Sequence, residues 1–349
     1  MKALVFLPGG IGDVLMATPF IRQLKKNLQD INLTCLTSVA ASKVLDRNVY
    51  VNKIISFDYK HFFKRDFKKI YELWRKIFRK YDLIFMLNKH KLFNIFSFFL
   101  GIKKRIGFDR FGEGTFLTYK IPYYGRKHEI FYYLDLLKAL NIEPNYEDHK
   151  MDIFLSEDDT YFAKKFFKKY ELEKKKVITI APGGAKNVAT DDDIRRWPVE
   201  NYIMLIKKIK RQNIKVILIG GKEDKSIEQK ILKEVDCLSL IGKSNLKQSA
   251  AIMNLSDLVI CNDSGPMHLA ASVNKYIISI FGPTSPIEKA PLHKESISLW
   301  NPVGCNPCFD LWGRYPKNCP YNKKCLKSIT PEIVFQAILK LLENKKLMN

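Results

Sequence analysis

The sequence has no long hydrophobic run. Its most apolar stretch, residues 92–100, is interrupted by Asn94 and Ser97. It falls far short of the roughly 20 apolar residues that a membrane-spanning helix needs. We also expect no secretory leader, because Lys2 is followed by a short apolar segment and a glycine-rich turn without a small-residue cleavage site. We therefore expect a cytoplasmic protein without a membrane-spanning segment.

Acidic residues are few relative to basic ones: 36 Asp and Glu stand against 59 Lys and Arg, which gives a formal net charge of +23. The excess is concentrated between Lys53 and Lys127, where 19 basic residues stand against 6 acidic ones and aromatic residues are frequent. Three explanations are open: contacts with nucleic-acid phosphates, contacts with anionic lipid head groups, or solvated helix faces in a lysine-rich proteome. No recognised nucleic-acid-binding motif is present, so nucleic acid is the weakest of the three and a membrane surface the strongest.

The seven cysteines fit a reducing compartment without a disulfide framework. Three stand singly in apolar contexts typical of core residues: Cys35, Cys237 and Cys261. The other four cluster near the C-terminus: Cys305, Cys308, Cys319 and Cys325. A Cys-x2-Cys pair with two further thiols is typical of a tetrahedral zinc or iron site, although the second pair is spaced more widely than in common zinc fingers. Free thiols and disulfides are the alternatives to a structural metal.

Short apolar runs alternate with helical patterns in both halves of the chain. In the first half they occupy residues 3–7, 33–37, 54–57 and 83–87. In the second half they occupy residues 177–180, 216–219, 258–261 and 276–280. This alternation predicts an α/β fold with parallel sheets and crossover helices, and the chain length favours two domains. A capping box at Ser156 predicts a helix to about Tyr170, and the polar stretch 171–176 marks the predicted domain boundary.

The turn after the first predicted strand, Gly9-Gly10-Ile11-Gly12-Asp13, is the first candidate site. Glycines at a strand-to-helix turn allow a ligand to approach the backbone closely. Their spacing is not the G-x-G-x-x-G fingerprint, so a nicotinamide enzyme is not indicated. Asp13 stands at the start of the following helix, where a carboxylate either caps the helix or acts as a general base. The pattern leaves both roles open.

The most informative stretch is residues 262–271, Asn-Asp-Ser-Gly-Pro-Met-His-Leu-Ala-Ala. It follows an apolar run and leads into a helical pattern, and such turns are common phosphate sites in open α/β sheets. The turn carries a carboxylate, a hydroxyl and an imidazole, at Asp263, Ser264 and His268, together with Gly265. Each alone has an ordinary structural explanation, as a helix cap or a core histidine. Their combination on one turn favours a ligand site.

Two further turns of the second half carry charged residues. Residues 181–186 form a glycine-rich turn that can offer N–H groups to a phosphate, and Arg195 or Arg196 nearby can clamp a diphosphate. Residues 220–224 end another strand, where a carboxylate such as Glu223 commonly accepts hydrogen bonds from ribose hydroxyls. A surface loop with incidental charges and a helix-terminal acid are the respective alternatives.

Three of these segments, in their order along the chain, resemble glycosyltransferase family 9, the ADP-heptose heptosyltransferase family of lipopolysaccharide core assembly. They are Gly12-Asp13 with residues 14–19, Arg195-Arg196-Trp197-Pro198, and residues 262–271. The resemblance implies a GT-B architecture, with two Rossmann-like domains facing a cleft. In that architecture residues 1–172 would bind the acceptor and residues 173–330 the nucleotide-sugar, and the last helix, residues 331–349, would cross back to pack on the N-terminal domain.

The same resemblance implies inverting sugar transfer without a catalytic metal. It assigns Asp13 as the base that deprotonates the acceptor hydroxyl. Arg195, where the family often has lysine, would neutralise the diphosphate of the leaving ADP. The implied donor-binding residues are Gly12, Arg195, Glu223, Ser244, Asp263, Ser264, Gly265 and His268.

The function expected from the resemblance is transfer of heptose from ADP-heptose to a sugar hydroxyl of an anionic lipid A–core acceptor. The basic, aromatic N-terminal half fits such an acceptor and a peripheral position at the inner face of the inner membrane. One alternative keeps the fold and changes the acceptor to a protein or another glycan. An alternative of a different class is a non-catalytic binding protein that docks on membrane or nucleic acid through its charge.

Overall fold

Two compact units, Met1–Phe154 and Leu155–Asn349, make up the computed structural model. It describes residues 1–184, 193–310, 314, 316 and 318–348. Each unit contains one six-stranded sheet in which all paired strands are parallel, and helices connect successive strands except β5 and β6. The α/β class predicted from the alternation is therefore confirmed. No helix in these described ranges is long and apolar enough to cross a membrane.

The sheet of the first unit has the strand order β3-β2-β1-β4-β5-β6. Its strands are β1 Lys2–Leu7, β2 Asn32–Thr37, β3 Lys53–Ser56, β4 Leu83–Met86, β5 Lys104–Asp109 and β6 Tyr119–Pro122. Its helices are α1 Ile11–Asn27, α2 Ser42–Leu45, α3 Lys60–Phe63, α4 Phe67–Ile77, α5 Lys91–Phe99 and α6 Glu129–Asp135. The central strand β1 is fully buried from Ala3 to Phe6 because helices cover the sheet, and its sequence is accordingly a continuous apolar run.

The sheet of the second unit has the strand order β12-β11-β10-β7-β8-β9. Its strands are β7 Val177–Ala181, β8 Lys215–Leu218, β9 Leu238–Ser239, β10 Leu258–Asn262, β11 Ile277–Phe281 and β12 Ile297–Trp300. Its helices are α7 Glu157–Lys169, α8 Val199–Arg211, α9 Lys225–Glu234, α10 Leu246–Leu255, α11 Gly265–Val273, α12 Pro286–Lys289, α13 Lys324–Lys327 and α14 Pro331–Met348. The strands in the middle, β10 and β7, are fully buried.

The helix predicted at Ser156 is present as α7. The Ser156 hydroxyl accepts the backbone N–H of Asp159 at 3.1 Å, and Asp159 Oδ2 accepts the N–H of Ser156 at 2.9 Å, which is a reciprocal capping box. This helix packs on α10, so the second unit begins at Leu155 and not after residue 172 as predicted. The polar stretch 171–176 connects a helix and a strand of the same unit, which is why its composition misplaces the boundary.

The last helix, α14, begins at Pro331 as the sequence indicates, and it packs on α8, within the second unit. Its expected packing on the N-terminal domain stays a prediction. Val334, Ile338 and Leu341 of its apolar stripe lie in the same hydrophobic core as Trp197 and Leu326. The stripe predicts a buried face correctly, but an apolar stripe does not specify its partner.

Candidate functional site

Four turns lie along one edge of the second sheet, and two of them carry predicted donor-site residues: Asp263 and Ser264 in one, Glu223 in the other. The strands β11, β10, β7 and β8 are neighbours in that order, and parallel strands all end at the same edge. The turns after them begin at residues 282, 263, 182 and 219. Edges of this kind are the usual ligand sites of open α/β sheets.

Asn262, the last residue of β10, connects the end of that strand to the turn after β7 and to Trp197 by side-chain hydrogen bonds. Its side chain is fully buried, and its amide oxygen accepts hydrogen bonds from the backbone N–H of Trp197 and the hydroxyl of Tyr202, both at 3.0 Å. Its amide nitrogen donates to the carbonyl oxygens of Pro182 and Gly183 at 3.0 and 3.1 Å. Sequence reasoning assigned Asn262 no role. The available signal was an amide side chain at the end of a buried strand, which needs hydrogen-bond partners there.

Arg195 and Asp263 form a buried ion pair, with Nη2 and Oδ2 2.8 Å apart. The hydroxyl of Thr284 donates to the same Oδ2 at 2.6 Å. Burial by itself would raise the pKa of Asp263, but the charges of Arg195 and Lys289 and the hydrogen bond from Thr284 outweigh it and hold the pKa below its usual value. Asp263 is therefore an anion that orients Arg195. Its second oxygen, Oδ1, is buried and has no hydrogen-bond partner among the described residues.

Helix α11 starts from Ser264 and Gly265 without a side-chain cap. The Ser264 hydroxyl donates to the carbonyl oxygen of Asn262 at 3.3 Å, so the alternative of a Ser264 side-chain cap is wrong. Pro266 has no N–H and the N–H of Met267 donates to the carbonyl oxygen of Ser264, so this uncapped helix start offers an anion the N–H of Gly265 and the positive end of the helix dipole. His268 lies buried one turn into the helix, and its electrostatic interaction with Asp263 contributes to the lowered pKa of that carboxyl.

The turn after β7 reaches the start of α11 only because it contains Gly184. The φ angle of Gly184 is +81°, in the left-handed region, and a Cβ there would lie 2.6 Å from Ser264 Oγ. Arg196 Nε donates to the carbonyl oxygen of Gly184 at 2.8 Å. The two arginines that the sequence left as rivals therefore have different partners: Arg196 holds the turn and Arg195 holds Asp263. The rest of the predicted turn, including Lys186, lies outside the described residues.

Asp224, next to the predicted Glu223, is the buried acid of the β8 turn. Its Oδ2 accepts the N–H of Gly221 at 2.9 Å and its Oδ1 accepts the N–H of Gly184 at 3.3 Å, which links the β8 and β7 turns. Burial raises the pKa of Asp224 in spite of these two donors. Glu223 is exposed beside it, where its carboxylate is open to solvent.

Ser244 lies in the loop after β9, beside the β8 turn. Its hydroxyl is hydrogen-bonded to that of Ser249 at 2.8 Å, and the N–H of Gly242 in the same loop donates to the carbonyl oxygen of Gly220 at 3.0 Å. The structure thus joins the loop of Ser244 to the turn of Glu223.

In the first unit, the Gly9–Asp13 turn follows β1 and opens α1. Asp13 Oδ2 accepts the N–H of Gly10 at 2.8 Å, so the capping role is real. A Cβ at Gly9 would lie 2.5 Å from that oxygen, so a larger residue at this position would have to displace the Asp13 carboxylate. Oδ1 of the half-buried Asp13 has no hydrogen bond among the described residues, and this leaves one oxygen for a proton. Gly12 lies beside it on the same turn.

A buried polar cluster that sequence reasoning missed lies close to Asp13. Lys89 Nζ is 2.6 Å from Oε2 of Glu129, and Tyr123 donates a hydrogen bond to the same carboxylate. Burial raises the pKa of Tyr133, and the charges of Glu129 and Asp13 add to that effect. These residues come from separate segments of the chain, and no local pattern in the sequence marks them.

The four C-terminal cysteines line one pocket of about 320 Å³. All seven cysteines are free, so the disulfide alternative is wrong for this structure. Burial raises the pKa of Cys308 to about 11, and the three other thiols of the pocket add to that effect. Within the described ranges, however, no group of three or more His, Cys, Asp or Glu is arranged to hold a metal ion. The thiols are gathered around one pocket, but they do not form a closed metal site.

Two units that each contain a parallel six-stranded sheet with helices are typical of glycosyltransferases of GT-B fold. The profile of glycosyltransferase family 9 (heptosyltransferase) matches residues 70–317, and the chain belongs to that family. It is a heptosyl-transferring glycosyltransferase, which excludes the non-catalytic alternative.

Similar proteins cover almost the whole chain. Lipooligosaccharide heptosyltransferase 2 of Campylobacter jejuni is 26% identical over 99% of this chain and 100% of its own length. The solved glycosyl transferase family 9 structure from Veillonella parvula has a TM-score of 0.78 at 23% identity, covering 98% of this chain and 97% of its own. The E. coli ADP-heptose lps heptosyltransferase II structure has a TM-score of 0.75 at 21% identity, covering 99% and 100%. These two structures support the fold.

Proposed function

We propose that this enzyme moves heptose from ADP-heptose to a sugar hydroxyl of the lipopolysaccharide inner core, on a lipid A–core acceptor. The names of the similar proteins support this donor and this class of acceptor. The observation that carries the donor assignment is the Arg195–Asp263 pair beside the uncapped start of α11. This arrangement offers a cation, N–H donors and an acceptor oxygen together, as a sugar diphosphate requires.

On the donor side, Arg195 and the N-terminus of α11, with the N–H of Gly265, hold the diphosphate. Oδ1 of Asp263 accepts a hydrogen bond from a hydroxyl of the heptose, and His268 contacts the same sugar. Glu223 accepts the ribose hydroxyls, and the loop that contains Ser244 lies beside the adenine. Arginine in place of lysine presents a fork of N–H donors to the phosphates, where lysine would present a point charge.

On the acceptor side, Asp13 acts as the general base. The backbone at Gly12, beside it, stays open to the donor. Oδ1 of Asp13 takes the proton of the acceptor hydroxyl while the hydroxyl oxygen forms a bond to C1 of heptose. The bond between C1 and the ADP oxygen breaks on the opposite side, so the anomeric configuration inverts. ADP leaves as an anion that Arg195 and the α11 N-terminus stabilise. In this scheme these two groups replace a divalent metal ion in neutralising the leaving diphosphate.

A lipid-linked acceptor places the reaction at a membrane surface. The excess of positive charge in the first unit supports a peripheral position on the anionic inner face of the inner membrane, with the enzyme on the cytoplasmic side. Nucleic acid is not part of the proposed function.

Asp13→Asn tests the proposed base. We expect ADP release with ADP-heptose and a core acceptor to fall by roughly 10²–10⁴-fold, because the amide cannot take the proton. The affinity for ADP-heptose should stay unchanged. Asp13 lies in the first unit, whereas the side chains proposed to bind the donor, such as Arg195 and Asp263, lie in the second. Asp30→Asn, at an exposed position beyond the end of α1, is the control and should keep full turnover.

Full turnover of Asp13→Asn would refute the base assignment and leave the donor assignment intact. No affinity of the unchanged protein for ADP-heptose would refute the proposed function itself. Cores truncated at successive sugars, and a protein acceptor alongside them, identify the acceptor hydroxyl.

We also propose that Cys305, Cys308, Cys319 and Cys325 hold a structural zinc or iron ion. The four thiols line one pocket, and the N–H of Lys323 donates to Cys319 Sγ at 3.3 Å, an interaction that supports a thiolate. The segment also contacts the donor side, because the N–H of Cys308 donates to the carbonyl oxygen of Pro283, next to Thr284, at 2.7 Å. A bound cation would relieve the repulsion among four ionised thiols.

Metal analysis of freshly reduced protein tests this site. We expect about one zinc or iron per chain, in keeping with a four-thiolate site. The metal should be lost in Cys305→Ser with Cys308→Ser, together with a lower melting temperature. Cys237→Ser, at a half-buried thiol outside the pocket, is the control and should keep the metal. Reduced protein that contains no metal would refute the site.

A further inference from the structure

Four aromatic side chains of the first unit are exposed at the edge where its strands end. Their exposed fractions are 61% for Phe63, 73% for Phe67, 69% for Phe111 and 54% for Tyr124. We call these four residues the aromatic edge. Single exposed aromatics are common on protein surfaces, whereas a group of them on one rim indicates a surface that binds something.

The sheet topology places the aromatic edge beside the proposed base. Phe63 lies in α3, which follows β3, and Phe67 opens α4, which returns the chain to the start of β4. Phe111 follows β5 and Tyr124 follows β6. Because these strands are all parallel to β1, the four residues share one edge of the sheet with the Gly9–Asp13 turn.

Contacts join these segments into one rim. The ring centroid of Phe63 is 6.0 Å from that of His90, at the start of α5. Asn94 of α5 donates to the carbonyl oxygen of Glu113 at 3.0 Å, in the loop that carries Phe111. The rings of Phe111 and Tyr124 are 6.4 Å apart. These contacts connect the segments that carry Phe63, Phe111 and Tyr124, and Phe67 follows Phe63 by four positions at the start of α4.

The same rim is basic. Its exposed cations are Lys64, Arg65, Lys68, Lys91 and Arg126. Two of the acids in these segments have side-chain partners: Asp66 is hydrogen-bonded to His61, and Glu113 is paired with Arg110. Aromatic rings flanked by Lys and Arg are typical of proteins that lie on an anionic bilayer, where the rings enter the head-group region and the cations contact the phosphates.

We propose that the aromatic edge and its cations dock this protein on an anionic phospholipid surface, with the Asp13 turn on the docked side. The proposal rests on the proposed function, because an acceptor anchored by its lipid must reach Asp13 from a membrane. A bilayer is favoured over a soluble glycan, since a sugar site would enclose the rings in a concave pocket and these rings are more than half exposed.

Sedimentation of the full-length protein with vesicles tests the proposal. The vesicles contain phosphatidylglycerol and phosphatidylcholine, and pure phosphatidylcholine vesicles serve as the neutral comparison. The variant Phe63→Ser, Phe67→Ser, Phe111→Ser should partition onto the anionic vesicles at least about tenfold less than the unchanged protein. If this triple variant does not fold, Phe67→Ser alone, at the most exposed of the four positions, replaces it.

The chain offers a matched control at the opposite edge of the same sheet. Phe98 and Phe99 end α5 and are 48% and 62% exposed. Lys103 and Lys104 follow them and are exposed too, so the control region has the same chemistry in a different place. Phe98→Ser with Phe99→Ser should bind anionic vesicles as the unchanged protein does.

Turnover on two acceptors separates docking from catalysis. On a deacylated, water-soluble core acceptor the triple variant should keep its turnover, which also shows that it is folded. On the intact acceptor in anionic vesicles its turnover should fall about tenfold, in line with the lost binding.

Unchanged vesicle binding by the triple variant would overturn the proposal, and so would a loss confined to the Phe98 and Phe99 control. Loss of turnover on the soluble acceptor would overturn it in favour of a glycan-binding role for the aromatic edge. If the unchanged protein transfers heptose to neither acceptor but vesicle binding still depends on the aromatic edge, the proposed function fails and the docking surface stands.

Discussion

At the scale of single residues, the predicted donor ligands form a coupled group. The resemblance to family 9 implies Arg195 and Asp263 as separate contacts to the donor, whereas the structure makes the carboxylate the partner of the guanidinium. The pair orients the arginine and reduces the charge it presents, so the α11 N-terminus must supply part of the attraction for a diphosphate. Asn262 and Asp224, which sequence reasoning passed over, hold the turns that carry this group.

Asp263→Asn should destabilise the protein, because it removes the charge of the buried carboxylate that pairs with Arg195. We expect the free energy of unfolding to fall by about 3 kcal/mol. Since the pKa of Asp263 is lowered in the folded protein, its contribution to stability is present above the pKa of the unfolded chain and is lost as the pH falls through the folded value. The difference between the two proteins, measured by denaturant titration, should therefore shrink toward acidic pH.

Glu332→Gln is the matched control for that experiment. Glu332 is paired with Lys208 at 2.6 Å, but both side chains are well exposed, at 54% and 39%. An exposed pair of this kind should cost less than about 1 kcal/mol to break. Equal effects of the two substitutions would show that burial of the Arg195–Asp263 pair does not matter for stability.

At the scale of elements, strands that are buried on both faces were predicted from the sequence, and most strands with mixed composition were not. All eight predicted runs appear, as β1 to β4, β7, β8, β10 and β11. The missed β5, with sequence KRIGFD, and β6, with sequence YKIP, mix charged and apolar residues. Edge strands such as β6, β9 and β12 are paired on one side only, so a continuous apolar run is not required of them.

Gly9→Ala tests how the turn between β1 and α1 positions Asp13. The added Cβ would lie 2.5 Å from Asp13 Oδ2 and must displace the carboxylate. We expect turnover to fall about tenfold to a hundredfold, with donor affinity retained, because a catalytic group displaced by about 1 Å loses its alignment. Steady-state kinetics with a core acceptor measures the effect.

The comparison variant for this test is Gly112→Ala. No atom lies within 4 Å of a Cβ at Gly112, but its φ angle is +91°, so alanine strains the backbone without touching the site. It should lower the melting temperature and leave turnover unchanged. A loss of turnover equal to that of Gly9→Ala would attribute both effects to stability.

At the scale of the whole molecule, the positive charge is concentrated on the unit that carries the proposed base. The net charge of +23 comes largely from residues 53–127, all of them within the first unit, and the donor constellation lies in the second. The excess of positive charge and the proposed donor-binding residues therefore lie in different units. This division is in keeping with binding of an anionic acceptor by the first unit and of a nucleotide-sugar by the second.

Ionic strength should affect binding to anionic vesicles and binding of ADP-heptose differently. Near 1 M salt the screening length falls to about 3 Å, so binding to anionic vesicles, which depends on exposed cations, should be largely lost. Affinity for ADP-heptose should change much less, because the Arg195–Asp263 pair is buried. Parallel vesicle sedimentation and donor-binding titrations measure both. Vesicle binding that persists in high salt would contradict an electrostatic contribution to docking.

The positions of the turns follow from local sequence. A buried strand must be apolar along its length, and the glycines and polar residues after it mark where it ends, as at Gly9–Asp13 and at residues 262–265. The pairing of side chains is set by tertiary structure, because the partners are far apart in the chain. Asp263 lies 68 positions after Arg195, and Asp224 lies 40 positions after Gly184. The same reason placed α7 and α14 in the second unit: an apolar helix face is visible in the sequence, but the surface that it covers is defined only by the assembled core.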